Sequence, residues 1–384
     1  MPDEKADIVI IGGGIVGIAT AYYLAKKGVK NITLLERDIM LGNGSTSRSA
    51  GGIRQQFSSD INIKLMMAGV KLYEKFDKEV GGHAEFNQFG YLFLAVTPEE
   101  VKAFKRNVAL QMANGLDVKE LSKGEISMKA PYLNIEDVAY GTFCQTDGYA
   151  DPHGAIQGYW NRCKELGVKI LFQTEVKGFK KTGNHLLTVL TNNGEIQAST
   201  FINCGGAWSG IIGEMAGADI PVKPYRRMIF ITKPFKEAIP VDMPLVVDFH
   251  SGVYMRRESG GILMGLADKN EPSSFNTNID WSFLEVIIEK AMHRIPILAE
   301  AEIMRGWAGL YDTSPDDHAL IGKVPNFTNF YVASGFSGHG FMQGPISAKL
   351  LAELIVDGNP SIDIHQLRVE RFKEGEPLHE ANVF

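Results

Sequence analysis

Cysteine is scarce. The 384 residues contain three, Cys144, Cys163 and Cys204, far apart and odd in number. They form no C-x-x-C pair and no zinc-ligand spacing, which argues against a disulfide framework and a metal site and fits a reducing, cytoplasmic compartment. Long basic runs are also missing. Lysine and arginine total 39 against 45 aspartates and glutamates, a net charge of −6. A mildly acidic chain of this kind is a poor partner for nucleic acid or an anionic membrane. Internal repeats and low-complexity tracts are absent. With 45% hydrophobic and 22% charged residues, the composition is that of an ordered globular protein able to bury one large core or two smaller ones. One uncharged stretch, Ile8–Ala25, has the length of a membrane span. Three adjacent glycines interrupt it, and the flank MPDEKAD is acidic where a leader would be basic. It reads instead as buried strand, glycine turn and buried helix, with no membrane span expected.

Glycine is plentiful, at 41 residues, and clusters where a backbone would meet a ligand. A strand over Asp7–Ile11, a helix over Ile15–Lys27 ended by Gly28, and a strand over Asn31–Leu35 make a β-α-β unit with a parallel sheet. At its turn, Gly12-Gly13-Gly14-Ile15-Val16-Gly17 fits G-x-G-x-x-G. Gly12 permits the tight turn, Gly14 lets the backbone approach a pyrophosphate, and Gly17 lets the helix pack against the sheet. The helix start at Ile15 and Val16 offers N–H groups and a positive dipole end to phosphate. Glu36, 19 residues past Gly17, closes the second strand, where a carboxylate accepts the ribose hydroxyls of an adenosine. An acidic residue there disfavours a 2′-phosphate and hence NADP. NAD and FAD both remain open on this motif. The following segment is rich in glycine and hydroxyls: Ser45, Thr46, Ser47, Gly51 and Gly52 could wrap a second phosphate and a flat ring, and Arg54 would place a cation beside that ring.

Further along, helices are expected at about Asn62–Val80, Pro98–Asn114, His153–Leu166 and Trp281–His293. Strands are expected within Glu85–Val96 and over Lys169–Thr174, and a hairpin joins Leu186–Leu190 to Ile196–Ala198 through Asn193-Gly194. Phe201–Cys204 reads as a separate short strand running into Gly205 and Gly206. The region Pro221–Leu310 is strand-rich. Phe330–Ala333 is followed by a third glycine segment, Ser334–Gly344, and a helix over Pro345–Val356. Strand–glycine–helix signatures thus stand at the start, middle and end, with antiparallel blocks between. The expected fold is α/β plus α+β: a Rossmann-like cofactor domain with a parallel sheet (1–84, 146–218 and 316–384) interleaved with a mainly antiparallel substrate domain (85–145 and 219–315).

Taken together, VIIGGGIVG with Glu36, GSTSRSAGGIR, INCGGAWS, YVASGFSGHGFM and the block from Arg305 through Trp307 and Tyr311 to His318 and Gly322 resemble the FAD-dependent amino-acid oxidoreductases that include D-amino-acid oxidase, glycine oxidase and sarcosine oxidase. The stretches IRQQF and TDGYADP and the tail RFKEGEPLHE resemble most the β subunits of heteromeric sarcosine oxidase and dye-linked L-proline dehydrogenase. The resemblance implies oxidation of a small amino or imino acid by hydride transfer from the α-carbon to flavin N5, giving an imine. It implies FAD contacts from the residues above and from Arg37, Val176, Gly205, Gly206, Trp208, Gly309, Gly338, His339, Gly340, Phe341 and Met342. Arg54 matches an active-site arginine, Tyr311 a tyrosine touching substrate or flavin, and His339 belongs to the segment under the isoalloxazine.

Two departures matter. Gly309 stands where some relatives attach FAD through cysteine, so the cofactor is expected to be non-covalent. Met342 stands where those relatives use lysine to hold the substrate carboxylate, which leaves Arg54, Arg256 and Arg305, in that order, as anchors. Tyr254 and Arg256 would share one strand face. His153 matches a histidine that carries FMN at a subunit interface in heterotetrameric relatives, although a histidine in a helix's first turn is also ordinary. A partner α-type subunit or separate electron acceptor is implied. Two other readings remain: an FAD-binding subunit without catalysis, and an NAD-dependent dehydrogenase.

Overall fold

A computed structural model describes residues 4–234 and 239–383. The outer ends of the divisions read from the sequence, 1–3 and 384, and the stretch 235–238 lie outside the described residues. The first strand, Glu4–Ile11, lies at the centre of an eight-stranded sheet. It pairs in parallel with Ile32–Leu35 on one side and Gly194–Asn203 on the other. The order runs Leu320–Lys323, Phe330–Ser334, Gly194–Asn203, Glu4–Ile11, Ile32–Leu35, Lys169–Leu171, and a hairpin of Val176–Thr182 and His185–Thr191 is appended. The central strands are parallel and apolar on both faces, as burial on both sides requires. The hairpin through Asn193-Gly194 forms as expected. Phe201–Cys204 is not a strand of its own. It continues Gly194–Asn203, whose first half pairs with the hairpin and whose second half pairs in parallel with Phe330–Ser334.

The first helix, Ile15–Lys26, buries ten of its twelve residues, the pattern of a helix covered on all sides. It packs against the last long helix, Gly340–Asp357, where a Cβ on Gly344 would lie 3.1 Å from Val16. That last helix begins five residues earlier than expected and carries Pro345 inside it. Proline has no N–H to give the carbonyl four residues back, and the Phe341 carbonyl instead accepts from the Tyr73 hydroxyl at 2.6 Å. Tyr73 lies on the helix Asp60–Glu74, which a break at Lys75 separates from the short turn Phe76–Glu79.

The second eight-stranded sheet is almost wholly antiparallel. Its order is Ile303–Thr313, Lys223–Thr232, Gly261–Leu266, Tyr254–Glu258, Leu245–Asp248, Tyr91–Ala95, Tyr140–Cys144, Val118–Leu121. Side chains alternate between its faces. Leu92, Leu94, Met228, Phe230, Val246, Met255 and Met264 face a core closed by the helix Ser282–Arg294. Tyr91, Leu245, Val247, Arg227, Ile229 and Tyr254 lie on the other face, which looks towards the first sheet and lines a cleft. All three cysteines are free and buried, and burial pushes the Cys163 and Cys204 thiols up to about 12. Among the described residues no helix is long and apolar enough to cross a membrane.

The helix that closes the second core ends in a buried charge cluster. Arg294 is fully buried. Its Nη2 donates to Asp248 at 2.9 Å and its Nη1 to Asp137 at 2.8 Å. Burial disfavours the Asp137 carboxylate, yet hydrogen bonds from Arg294 and His293 hold its pKa down to about 2. Because this lies below the unfolded value of about 3.9, the stabilisation from Asp137 is complete above that value and is lost as pH falls through about 2. Arg294→Met should cost ~3–5 kcal/mol, because it strands Asp248 without a counter-charge. A urea unfolding midpoint unchanged from wild type would contradict this reading.

Candidate active site

Four segments meet at the carboxyl edge of the first sheet: the turns after Ile11, Leu35, Asn203 and Ser334. In an open parallel sheet this edge is where ligands bind. The turn at Gly12 has φ +106°, open to glycine and strained for any other residue. A Cβ on Gly17 would lie 1.9 Å from the Gly12 carbonyl oxygen, so the helix approaches the turn as closely as it does only because Gly17 has no side chain. A Cβ on Gly14, by contrast, would meet nothing nearer than the Thr46 hydroxyl at 3.4 Å. Gly14 is the N-cap and brings no capping side chain, while Thr46 accepts from the Ile15 N–H at 3.1 Å. Thr46 thus occupies one N–H of the first turn, and Gly14 brings no side chain to screen the rest of the helix start from the cleft.

Glu36 sits beside this turn. Its Oε2 accepts from Gly13 N–H and its Oε1 from Asp38 N–H, each at 2.8 Å. Burial raises its pKa and these two bonds oppose the rise. Each oxygen keeps a lone pair for a further donor. Next to it the Arg37 guanidinium stacks 3.6 Å from the Trp208 ring centroid, and Val176, Gly205 and Gly206 complete that end of the cleft.

The opposite end is built from Arg54, Tyr311 and the turn into the last helix. Gly338 has φ +94°, and a Cβ there would fall 2.3 Å from the Tyr311 ring, which therefore lies close against the turn. Burial raises the Tyr311 pKa, with Arg227 and Arg54 working against it. Arg54 is 2% exposed. Its guanidinium donates to the Gln56 and Asn382 carbonyls and to His339 Nε2, the last at 3.0 Å, and lies 3.9 Å from the Phe57 ring centroid. Since arginine only donates, His339 accepts through Nε2 and carries its proton on Nδ1. Burial and the Arg54 charge push its pKa down to about 3, so the ring is neutral at physiological pH.

The C-terminal tail reaches this point as well. Glu380 accepts from Ser58 N–H and Oγ, Ser59 Oγ and Asn62 Nδ2 at 2.6–3.0 Å. Asn382 Nδ2 donates to the Gln56 carbonyl at 3.1 Å. Burial disfavours the Glu380 carboxylate, but Arg54's charge and these bonds outweigh it and hold its pKa below the usual range. Behind Arg54, burial lifts Asp147 to about 6 against hydrogen bonds from Gln55 and Gln56.

The chain matches the FAD dependent oxidoreductase family description over residues 7–354. It belongs to that family. FAD dependent oxidoreductase domain-containing protein 1 of Xenopus laevis is 30% identical, covering 100% of this chain and 86% of that protein. Mitochondrial sarcosine dehydrogenase of Mus musculus is also 30% identical, over 96% of this chain but 42% of its own length. The crystal structure of L-proline dehydrogenase from P. horikoshii superposes with a TM-score of 0.91 at 37% identity, covering 98% of this chain and all of that one. The family match decides for FAD over the nicotinamide alternative.

The residues present fit that cofactor. The bare helix start at Gly14 suits a pyrophosphate, Glu36 suits a ribose diol, and the start of the last helix at Gly340 directs a positive dipole end into the cleft. Of the residues read from the sequence, Gly12, Gly14, Ile15, Val16, Glu36, Arg37, Ser45, Thr46, Gly51, Gly52, Arg54, Val176, Gly205, Gly206, Trp208, Gly309, Tyr311 and the run Gly338–Met342 line this one cleft. Gly17 and Ser47 do not reach it. Gly17 packs on Gly12, and the Ser47 hydroxyl donates to the Gly42 carbonyl at 2.7 Å.

The two reserve anchors do not reach it either. Arg256 is buried against the Ala50 carbonyl, Glu258 and the Tyr149 ring. It shares the strand face of Tyr254 but not its place in the cleft. Arg305 is exposed, over the Trp307 ring. His153 is exposed on the helix Pro152–Glu165, its N–H bonded to Asp151 at 3.0 Å. Sequence reasoning missed Tyr91, Arg227 and Ile229 on the sheet wall and Glu380 and Asn382 in the tail. The alternation in PYRRMIFIT could have flagged Arg227; the tail up to Glu380 figured in the resemblance, but nothing local tied it to the site.

Gly14→Val should leave the fold intact, since its Cβ meets only Thr46, while lowering flavin retention by at least tenfold through a block on phosphate approach. Gly17→Ala should lower the unfolding midpoint itself. Flavin-to-protein ratio after gel filtration and urea titration of both variants test this contrast, and equal behaviour of the two would refute the division of roles.

Proposed function

We propose that this chain oxidises a small amino or imino acid of the sarcosine, proline or glycine type, acting on its CH–NH or CH–NH2 group. The supporting observation is the cleft itself: a flavin-type cradle at one sheet and, facing it, a sheet wall of aromatic, aliphatic and arginine side chains. The division into a cofactor domain (1–84, 146–218, 316–384) and a substrate domain (85–145, 219–315) belongs to the same reading. Both the L-proline dehydrogenase and the sarcosine dehydrogenase named above carry the corresponding activities in their names.

Bound FAD would supply a two-electron acceptor for the hydride of the substrate's Cα–H bond, leaving the substrate as an iminium. The chain's own residues orient and polarise. His339 is neutral and the Tyr311 phenol stays protonated, so neither is a strong base at neutral pH. Arg54, Arg48 and Arg227 line the cleft beside carboxylates that include Glu36 and Asp312, and an arginine close to a bound amine would disfavour its ammonium form and favour the neutral amine that can release hydride. Tyr311, tight against Gly338, fixes one wall, and geometric placement of this kind supplies much of the rate in such reactions.

The partner α-type subunit and an interface FMN near His153 are proposals from the resemblance, and a cytoplasmic compartment is a proposal from the cysteine content. The exposure of His153 suits the second, and three unpaired cysteines suit the third.

The test is anaerobic addition of sarcosine, L-proline, D-proline and glycine to the yellow protein. At least one should bleach the flavin band, with a rate that rises with pH as the substrate amine deprotonates and no inflection from His339 above pH 5. No bleaching by any of them would favour an FAD-binding subunit without catalysis.

A further inference from the structure

If the chain acts on amino acids, their carboxylate needs a cation, and the sequence offered three arginines for it. None of the three has the geometry. Arg54 lines the cleft, but its nitrogens already donate to the Gln56 and Asn382 carbonyls and to His339, and Glu380 faces its charge. Arg256 is paired with Glu258 and the Ala50 carbonyl. Arg305 lies outside the cleft. Met342, in the place of the relatives' lysine, carries no charge.

Arg227 differs from all three. It lies on the strand Lys223–Thr232, directly opposite Gly309. With Ile229 it faces the cleft, while Met228 and Phe230 between and beyond them face the core. Its guanidinium carbon is 5.1 Å from the Tyr311 ring centroid. Its hydrogen bond is Nη1 to the neighbouring Arg226 carbonyl, 2.8 Å. Among the described residues its buried Nε has no acceptor and it makes no ion pair. A half-buried guanidinium with an unmet donor costs free energy until an acceptor arrives. A carboxylate matches its planar fork.

We propose that Arg227 binds the substrate's carboxylate, and that Leu245, Val247 and Ile229 on the same sheet face receive the apolar remainder of a small zwitterion. The assignment rests on the reading of the chain as an amino-acid oxidoreductase. It makes Arg227 the residue that selects carboxylate substrates over simple amines, and leaves Arg54 as the residue that positions His339.

The test uses the flavin-loaded protein and binding rather than turnover. Pyrrole-2-carboxylate and its neutral amide are titrated against the flavin absorption band of wild type, Arg227→Met and Arg227→Lys. Wild type should bind the carboxylate well and the amide weakly. Arg227→Met should lose roughly 10–100-fold in carboxylate affinity with its amide affinity unchanged, and Arg227→Lys should recover part of the loss. Equal carboxylate affinity in wild type and Arg227→Met would overturn the assignment. So would a wild type that binds no carboxylate, or a variant whose flavin potential shifts while carboxylate binding does not. Failure of the amino-acid reading looks different: carboxylate binding follows Arg227 as stated, yet no amino acid bleaches wild type.

Discussion

The cleft depends on one close approach between backbones. The Gly12 carbonyl lies where a Cβ of Gly17 would be, and a Cβ on Gly12 would itself fall 2.4 Å from the Cys204 carbonyl oxygen. Two strands and a helix therefore meet with no side chain between them. Their contact brings the start of the first helix to the sheet's carboxyl edge and sets Glu36 beside it, with Gly13 N–H as its partner. A single methyl group at either position would overlap backbone of the other element and push the two apart, and the anion-binding end of the helix would move with them.

The second constraint is the period of two in the antiparallel sheet. One face is consumed by the core under Ser282–Arg294, so every other residue of Lys223–Thr232, Leu245–Asp248 and Tyr91–Ala95 is turned to the opposite face whatever its chemistry, and Tyr91, Arg227, Ile229, Leu245 and Val247 line the cleft. This is how an arginine comes to lie on an otherwise aromatic and aliphatic wall. The register that pairs Arg227 with Gly309 also pairs Tyr225 with Tyr311, so the strand that offers Arg227 and the strand that offers Tyr311 are locked together by their own hydrogen bonds.

Much of this was legible in the sequence because it is local. A turn of glycines after a strand, a carboxylate at the end of the next strand and a helix behind them are encoded within forty residues, and each glycine has one physical reason to be glycine. The cleft lining near Gly12–Gly17, Glu36 and Gly338–Met342 followed from that. What was not legible depended on distance. The long strand Gly194–Asn203 looked like two because its halves have different neighbours, one the hairpin and one the last parallel strand. Pro345 reads as the start of the last helix because proline opens helices more often than it interrupts them. Only the hydroxyl of Tyr73, more than two hundred residues away in the chain, supplies the bond that proline cannot. Arg256 shared a strand face with Tyr254, as alternation requires, but face alone does not say how far along the strand the cleft extends.

The charges at the flavin end show the same division between local and distant. Arg54 is buried where an uncompensated cation would be costly, and its acceptors come from three places: the neighbouring Gln56, the helix start at His339, and the tail at Asn382. Glu380 balances it at longer range while tying the tail to the start of the helix Asp60–Glu74. The result is a neutral histidine whose buried Nδ1–H has no partner among the described residues, held in one tautomer by a cation that cannot accept a proton from it. Such an edge can donate a hydrogen bond but cannot be titrated in the working range, so it can stabilise negative charge nearby without exchanging protons with a bound ligand. Under the proposed function, deprotonation of a substrate amine is then left to solvent, and orientation and electrostatics, rather than an acid–base pair, carry the chemistry.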